Sequence, residues 1–328
     1  MTELKKLSQA VVPDDFPPLF SGTPAEELLR SLAEEVNVYT NGRPTPEVLV
    51  ERIKNAEAVV NIQTVQFTRW VLEQCPKLKI LSIWAIGVDN VDLEACDDLG
   101  ITVTKLPPLS APSVAEHTIA LAMAVSRKIV ANDQLVRAGE WKRLNLTDLL
   151  NRTLGVVGAG PIGQRVMQLG KGIGMNVIAW TLHPSSERAR EYGVEFVELN
   201  ALLRRSDVLA VCIALSDRTE RLIGRRELEF MKPTAIIVNT ARGLIIDEPA
   251  MVEALQTGRI AGAGLDVFTE EPLEPHSPLR QLDNVILSPH LAGATFEGTM
   301  QRLTVTVENV QSFMRGVPAN VIVHGSRR

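Results

Sequence analysis

The chain has 328 residues, a formal net charge of −5, 45% hydrophobic and 22% charged residues. This length predicts two domains, and the composition is that of a globular protein. The basic residues are dispersed, which argues against nucleic-acid binding, and no apolar run approaches the roughly 20 residues of a membrane helix. We therefore expect no nucleic-acid partner and no membrane association.

The first third of the chain alternates strand-like and helix-like segments. The predicted strands are Ala58–Ile62, Leu78–Ile83 and Ile101–Thr104. The predicted helices are Thr45–Lys54, Phe67–Gln74 and Asp92–Leu99, the last of which Gly100 ends. This alternation predicts a parallel sheet that is covered on both faces.

A long apolar helix follows a group of prolines. The pattern predicts this helix over Ser113–Val130. A helix that is apolar nearly all round must be buried on more than one side. It is therefore either a central core helix or a helix that is buried against another subunit.

Strands are again predicted regularly after residue 153. They are Leu154–Val157, Asn176–Trp180, Val208–Ile213, Ala235–Asn239, Gly262–Val267 and Val285–Ser288. Six such strands suit a doubly wound sheet. A last helix is predicted over Thr299–Met314, and we expect it to return to the first domain.

A glycine turn lies between the first two of these six strands. Gly158, Gly160 and Gly163 match the pattern G-x-G-x-x-G, in which the glycines allow a tight turn, approach of a pyrophosphate and close helix packing. The helix that begins near Ile162 would present its free N–H groups to the phosphates, and Pro161 suits its first turn. The pattern predicts a dinucleotide site, although a nucleotide-free turn would look alike.

The second strand lacks the acidic residue that usually binds the ribose hydroxyls of NAD. Thr181 stands near that position and carries no charge. NAD is the expected cofactor, but NADP is also allowed because no carboxylate repels a 2′-phosphate. The nearest arginines are Arg188 and Arg190, which the sequence alone places on a solvated helix face.

Three polar residues directly follow apolar strands, where open α/β sheets bind ligands. They are Arg242 in VNTARG, Glu271 in GLDVFTEEP and His290 in ILSPH. Each alone would be a surface ion pair, a loop residue or a structural histidine. Together they suit hydride transfer to a 2-oxo acid, because arginine anchors a carboxylate and histidine supplies a proton.

Three cysteines, Cys75, Cys96 and Cys212, lie far apart and lack the spacing of metal ligands. We expect neither a disulfide framework nor a metal site from them. The N-terminal residues lack the apolar core of a secretion signal. These features favour the cytoplasm.

The chain resembles the D-isomer-specific 2-hydroxyacid dehydrogenases over nearly its whole length. The motifs that carry the resemblance occur in the family's order, namely AIGVDNVD, VAEHT, GVVGAGPIG, VNTARG, AGLDVFTEEP and SPH. The family implies an α/β fold of two doubly wound parallel-sheet domains. A Rossmann NAD(P)-binding domain, residues 106–295, is inserted into a flavodoxin-like substrate domain, residues 1–105 and 296–328.

The resemblance also implies roles for individual residues. Arg242 matches the arginine that binds the substrate, His290 matches the acid–base residue, and Glu271 matches the carboxylate that pairs with it. The implied cofactor-binding residues are Gly158, Gly160, Pro161, Ile162, Gly163, Thr181, Ile213, Thr240, Asp266 and Gly293. The implied substrate loop is formed by Ala85, Ile86 and Gly87, and the helix over Ser113–Val130 matches one that family dimers bury.

These observations predict an NAD(P)-dependent dehydrogenase that interconverts a 2-oxo acid and a D-2-hydroxy acid, and that forms a homodimer. Ala85 and Pro108 replace glycines that are frequent in the family, and the bulky Trp84 precedes the loop. The sequence therefore does not determine the size and identity of the substrate. Two alternatives also remain. One is formate- or phosphite-type oxidation on the same scaffold, and the other is a non-enzymatic NAD(H) sensor similar to the related corepressors.

Overall fold

The structure is a computed structural model that describes residues 5–63, 65–85 and 87–325. The chain forms two compact units. The first unit combines Met1–Leu109 with Phe296–Arg328, and the second comprises Ser110–Thr295. The second unit is therefore inserted between two pieces of the first.

The secondary structure alternates between strands and helices along the chain. In chain order, the strands are β1 (Leu7–Val12), β2 (Ala33–Val38), β3 (Ala58–Asn61), β4 (Ile80–Ile83), β5 (Thr102–Thr104), β6 (Thr153–Val157), β7 (Asn176–Trp180), β8 (Glu195–Phe196), β9 (Val208–Val211), β10 (Ile236–Asn239), β11 (Gly262–Leu265), β12 (Val285–Leu287) and β13 (Val321–His324). The α-helices are α1 (Pro24–Leu32), α2 (Pro46–Ile53), α3 (Arg69–Glu73), α4 (Leu93–Asp98), α5 (Ala111–Ser126), α6 (Ile129–Arg137), α7 (Pro161–Gly172), α8 (Ser186–Tyr192), α9 (Leu199–Arg205), α10 (Arg225–Phe230), α11 (Glu248–Gln256) and α12 (Phe296–Met314).

The first unit contains a six-stranded sheet in the order β13-β5-β4-β3-β1-β2. The order from β2 to β5 is that of flavodoxin-like sheets, and these strands pair in parallel. The edge strand β13 pairs antiparallel with β5. Side chains of α12, namely Leu303, Val307 and Val310, are fully buried against one face of this sheet.

The second unit contains a seven-stranded sheet in the order β12-β11-β10-β9-β6-β7-β8, and neighbouring strands pair in parallel. The chain order reverses between β6 and β9, as in doubly wound dinucleotide-binding folds. The six strands predicted in this region all exist, and β8 adds a seventh. The α/β fold class of two doubly wound sheets is thereby confirmed, with one antiparallel edge strand in the first unit.

The single long helix predicted over Ser113–Val130 is wrong. Helix α5 ends at Ser126, and Lys128 adopts a left-handed conformation with φ of 47° before α6 begins. A lysine rarely adopts this conformation, which is typical of glycine. Since no glycine stands at the break, the sequence does not indicate it. Helix α5 buries eight residues within its own unit, whereas α6 buries none.

Candidate active site

The predicted dinucleotide turn lies between β6 and α7. Gly158 has φ of 102°, and a side chain there would collide with the backbone of Cys212 and Ile213 at 2.8 Å. A side chain at Gly163 would meet the Gly158 carbonyl oxygen at 2.0 Å. By contrast, a Cβ on Gly160 would meet no protein atom within 4 Å, so space beside the turn is open to a ligand.

The first residues of α7 complete this turn. Gly160 is the N-cap, no side chain caps the helix there, and Pro161 occupies the first turn. The backbone N–H groups of Ile162 and Gly163 therefore belong to an uncapped helix end, which attracts phosphate. The turn fits the pyrophosphate of a dinucleotide.

Arg188 does not lie on a solvated helix face, contrary to the sequence-based interpretation. Its Nη2 donates to the carbonyl oxygen of Ala159 at 2.6 Å, within the glycine turn. Its Nη1 donates to the carbonyl oxygen of His183 at 3.1 Å, and its Nε lies 3.4 Å from the Tyr192 hydroxyl. The guanidinium is therefore fixed between the glycine turn and the segment that follows Thr181.

The three predicted catalytic residues follow neighbouring strands. Arg242 follows β10, Glu271 follows β11 and His290 follows β12. These strands pair in parallel in the order β10-β11-β12, so the three residues come from one edge of the second unit's sheet. Open α/β sheets bind their ligands at this edge.

The turn that carries Arg242 is held by the buried side chain of Asn239. Its Oδ1 accepts from the N–H of Ala241 at 3.0 Å, and its Nδ2 donates to the carbonyl oxygen of Arg242 at 3.0 Å. The Arg242 side chain is exposed and donates through Nη1 to the Ala241 carbonyl oxygen at 2.7 Å. Most of its five N–H donors thus remain available to a carboxylate ligand.

Close backbone packing joins this turn to the next strand end. A side chain on Gly243 would meet the Phe268 carbonyl carbon at 2.0 Å, so only glycine fits there. The N–H of Phe268 in turn donates to Oε1 of Glu271 at 3.0 Å. The segments that carry Arg242 and Glu271 are therefore fixed against each other.

Glu271 and His290 form a short hydrogen bond. Oε2 of Glu271 lies 2.6 Å from Nδ1 of His290, and both side chains are partly exposed. Since a carboxylate accepts hydrogen bonds, Nδ1 carries the hydrogen. The other ring nitrogen, Nε2, is left to exchange a proton with a ligand.

Asp266 is fully buried and holds the turn that carries His290. Its Oδ1 accepts from the Ser288 hydroxyl at 2.6 Å and from the N–H of Leu291 at 2.9 Å, and its Oδ2 accepts from the N–H of Ala292 at 2.9 Å. The N–H of His290 donates to the Asp266 carbonyl oxygen at 2.8 Å. The predicted cofactor contact of Asp266 remains a prediction.

The other predicted ligand residues lie at strand ends or in loops. Thr240 is buried and its hydroxyl lies 2.8 Å from that of Thr118, so it faces α5, and Gly293 packs near Ser110. Ile213 lies two residues after the end of β9 and is partly buried. Their roles in cofactor binding stay predictions.

The predicted substrate loop follows β4 in the first unit. Ala85 and Gly87 are exposed, and Ile86 lies outside the described residues. The Ala85 carbonyl oxygen accepts from the N–H of Leu106 at 2.9 Å, and the N–H of Trp84 donates to the Asn61 carbonyl oxygen at 2.8 Å. These bonds fix the start of the loop at a strand end.

In the part of the chain that the structure describes, no group of three or more His, Cys, Asp or Glu side chains is arranged to hold a metal ion. No helix in this part of the chain is long and apolar enough to cross a membrane.

Sequence reasoning did not find Asn239, His117 or the fixed position of Arg188. Asn239 precedes the Thr-Ala-Arg segment. Its position as a polar residue at the end of an apolar strand is the sequence feature that could have indicated its role. For Arg188, the sequence offered only its short distance from β7. His117 stands in VAEHT, a motif that carries the family resemblance but predicts no role for this histidine.

Comparison with known proteins identifies the family. The family model "D-isomer specific 2-hydroxyacid dehydrogenase, NAD binding domain" matches residues 119–292. A glyoxylate reductase from Aeropyrum pernix is 41% identical over 299 residues, which cover 88% of this chain and 89% of that protein.

Solved structures give the same result. The apo-structure of D-lactate dehydrogenase from Escherichia coli matches with a TM-score of 0.83 and 29% identity, covering 96% of this chain and all of that one. An acyclic imino acid reductase in complex with NADPH and D-Arg matches with a TM-score of 0.83 and 28% identity, with the same coverage.

The matches extend over both units and include the dinucleotide turn. They agree with a turn that fits a pyrophosphate and with the polar residues at neighbouring strand ends. The protein uses a nicotinamide cofactor to interconvert 2-oxo and 2-hydroxy acids. The chain belongs to the D-isomer-specific 2-hydroxyacid dehydrogenase family.

Proposed function

We propose that this enzyme reduces a small 2-oxo acid of the glyoxylate class, with His290 as the proton donor. The observation that carries the proposal is the 2.6 Å bond between Glu271 and Nδ1 of His290. This bond fixes the tautomer and orientation of the imidazole. The glyoxylate reductase from Aeropyrum pernix, at 41% identity, supports the substrate class.

Each residue has a defined part in the reduction. The guanidinium of Arg242 binds the substrate carboxylate and polarises the neighbouring carbonyl. A nicotinamide cofactor, when bound in its reduced form, would supply the hydride for the carbonyl carbon. His290 then gives the proton on Nε2 to the carbonyl oxygen, and Glu271 stabilises the orientation of the ring throughout.

A substrate panel tests this function. Purified enzyme is assayed with NADH and NADPH against glyoxylate, hydroxypyruvate, pyruvate and a bulky aromatic 2-oxo acid, with chiral analysis of the products. We expect turnover with the small acids and the D-isomer wherever the product is chiral. Absence of turnover across the panel, or an L-product, would contradict the proposal.

We further propose that the enzyme accepts NADPH as well as NADH. Thr181 offers no carboxylate to repel a 2′-phosphate, and Arg188 is held beside the same segment. The three contacts of Arg188 described above use three of its five N–H donors, which leaves donors for a phosphate. The NADPH complex of the structurally similar imino acid reductase is consistent with this cofactor.

The variant Arg188→Gln tests the cofactor assignment. Glutamine can still donate hydrogen bonds but lacks the positive charge. The Kd for NADPH should therefore rise about tenfold, while the Kd for NADH changes less. Arg190→Gln is the matched control, since Arg190 is an exposed arginine two residues further along α8. Equal losses for both cofactors would assign Arg188 a structural role only.

We also propose a cytoplasmic homodimer. Apolar side chains are exposed on α6 and the segment after it, namely Ile129, Val130, Val136, Trp141, Leu146 and Leu150. A cavity of about 600 Å³ adjoins this surface. Apolar surface of this extent favours a subunit contact. The three free cysteines are consistent with a reducing compartment.

A further inference from the structure

A second histidine contacts the turn that carries His290. His117 lies on α5, and its Nε2 is 3.0 Å from the Ser288 hydroxyl oxygen and 3.6 Å from Oδ1 of Asp266. The His117 side chain is 23% exposed, so it is held mainly inside the second unit. None of the roles assigned above involves it.

The direction of the bond between His117 and Ser288 follows from counting hydrogens. The Ser288 hydroxyl has one hydrogen, and its oxygen lies 2.6 Å from Oδ1 of Asp266. A carboxylate only accepts, so Ser288 donates to Asp266. Ser288 must therefore accept from His117, and Nε2 of His117 carries a hydrogen.

This chain of bonds ends at the backbone of His290. Asp266 binds the Ser288 hydroxyl and the N–H groups of Leu291 and Ala292. Its carbonyl oxygen accepts from the N–H of His290. His290 itself has φ of 51°, a left-handed conformation that a non-glycine residue keeps only when its surroundings impose it.

We propose that His117 is a positioning residue for His290, an inference that rests on the proposed function. By donating to the Ser288 oxygen, whose own hydrogen goes to Asp266, it links the donors around this buried carboxylate to α5. Without His117, that oxygen loses its donor and the link to α5 is lost, so the turn at residues 288–292 loosens. Proton transfer depends steeply on geometry, whereas the glycine turn that fits the pyrophosphate of the cofactor makes none of these hydrogen bonds.

Two substitutions at His117 separate positioning from packing. His117→Phe keeps a ring but removes the donor, whereas the amide nitrogen of His117→Gln has nearly the reach of Nε2 and donates. We expect kcat to fall about tenfold in the phenylalanine variant and to recover largely in the glutamine variant. The Kd for reduced cofactor should stay within about twofold in both, and His324→Phe, at an exposed position on β13, is the control.

A double-mutant cycle with Ser288→Ala covers the case in which the phenylalanine variant folds poorly. Since both residues act through one hydrogen-bond chain, the losses in kcat from Ser288→Ala and from His117→Leu, which removes the donor with a smaller side chain than phenylalanine, should be less than additive in the double variant. Additive losses, or equal kcat in the phenylalanine and glutamine variants, would overturn the proposal. If His290→Gln retains turnover, the proposed function fails; if only the His117 variants behave as wild type, this inference alone fails.

Discussion

Arg242 reaches its position through contacts that involve backbone more than side chains. Asn239 binds the turn on both sides of Ala241, and the lack of a side chain at Gly243 lets this turn approach Phe268. Among the residues that the structure describes, the guanidinium donates one hydrogen bond, to the Ala241 carbonyl oxygen. The residue is therefore presented rigidly from its backbone while its donors stay open for a ligand.

Replacement of Arg242 should affect substrate more than cofactor. Arg242→Ala removes the positive charge and the planar pair of donors, so we expect kcat/KM to fall by about 10³-fold, or about 4 kcal/mol, the value of two charged hydrogen bonds of about 2 kcal/mol each. Arg242→Lys keeps the charge without the planar fork and should recover only part of the loss. Steady-state kinetics with the best substrate measure both, and unchanged kinetics in the alanine variant would remove Arg242 from the mechanism.

Much of the site was predictable because its residues follow strands directly. The strand pattern and the position of Arg242, Glu271 and His290 after successive strands placed them at one sheet edge. The orientation of Arg188 was not predictable, because it depends on a carbonyl oxygen of a distant turn. The contact of His117 with Ser288 likewise depends on how α5 packs, which local sequence does not determine.

At the scale of elements, a carboxylate joins three strands of the first unit near their N-terminal ends. Glu57 precedes β3 and accepts from the backbone N–H and hydroxyl of Ser8 in β1. It also pairs with Lys79, which precedes β4. These donors, led by Lys79, lower the pKa of Glu57 from 4.5 to about 2.

This shift predicts how stability depends on pH. A lowered pKa in the folded state stabilises the fold above the unfolded pKa, and the effect is lost as pH falls from about 4.5 towards 2. Glu57→Gln should therefore lower the free energy of unfolding by about 1 kcal/mol at pH 7, and by less at pH 3.5. The expected value is small because the Lys79 side chain is exposed and solvent weakens the ion pair.

Urea unfolding at the two pH values measures this difference. Glu51→Gln is the control, because Glu51 pairs with Lys54 on the surface and should show a smaller change at both pH values. A difference between wild type and Glu57→Gln that does not shrink at low pH would mean that the carboxylate charge does not stabilise the fold.

Element boundaries show where sequence reasoning ends. Most strands were predicted to within two residues, because β-branched runs bounded by turn residues are a strong local signal. Strand β8 has two residues and carries little such signal. The break between α5 and α6 was missed because a lysine, and not a glycine, adopts the left-handed conformation.

At the scale of the whole molecule, the insertion of one unit into another followed from the family motifs. The exposed apolar surface at residues 129–150 is the feature that one chain alone does not explain. Helix α5 is largely buried in its own unit, so the exposed apolar surface is formed mainly by residues that follow α5 in the chain. A second copy of the chain is the proposed partner.

Charged substitutions on this surface test the dimer. Trp141 is 88% exposed and Leu150 is 64% exposed, so the single chain should tolerate Trp141→Asp and Leu150→Asp. We expect light scattering after size-exclusion chromatography to show a dimer for wild type and a monomer for the double variant. Val317→Asp, at an apolar position that is 69% exposed in the first unit, should leave the mass unchanged.

His290 is the proposed proton donor for reduction of a 2-oxo acid. The most direct measurement compares wild type and His290→Gln in both 2-oxo acid turnover and the Kd for reduced cofactor. We predict a loss of at least about 10³-fold in kcat with a Kd within about twofold, since glutamine is a polar side chain of similar length that has no titratable proton to give. Retained turnover would show that His290 is not the proton donor, and an equal loss of cofactor binding would show that its role is structural.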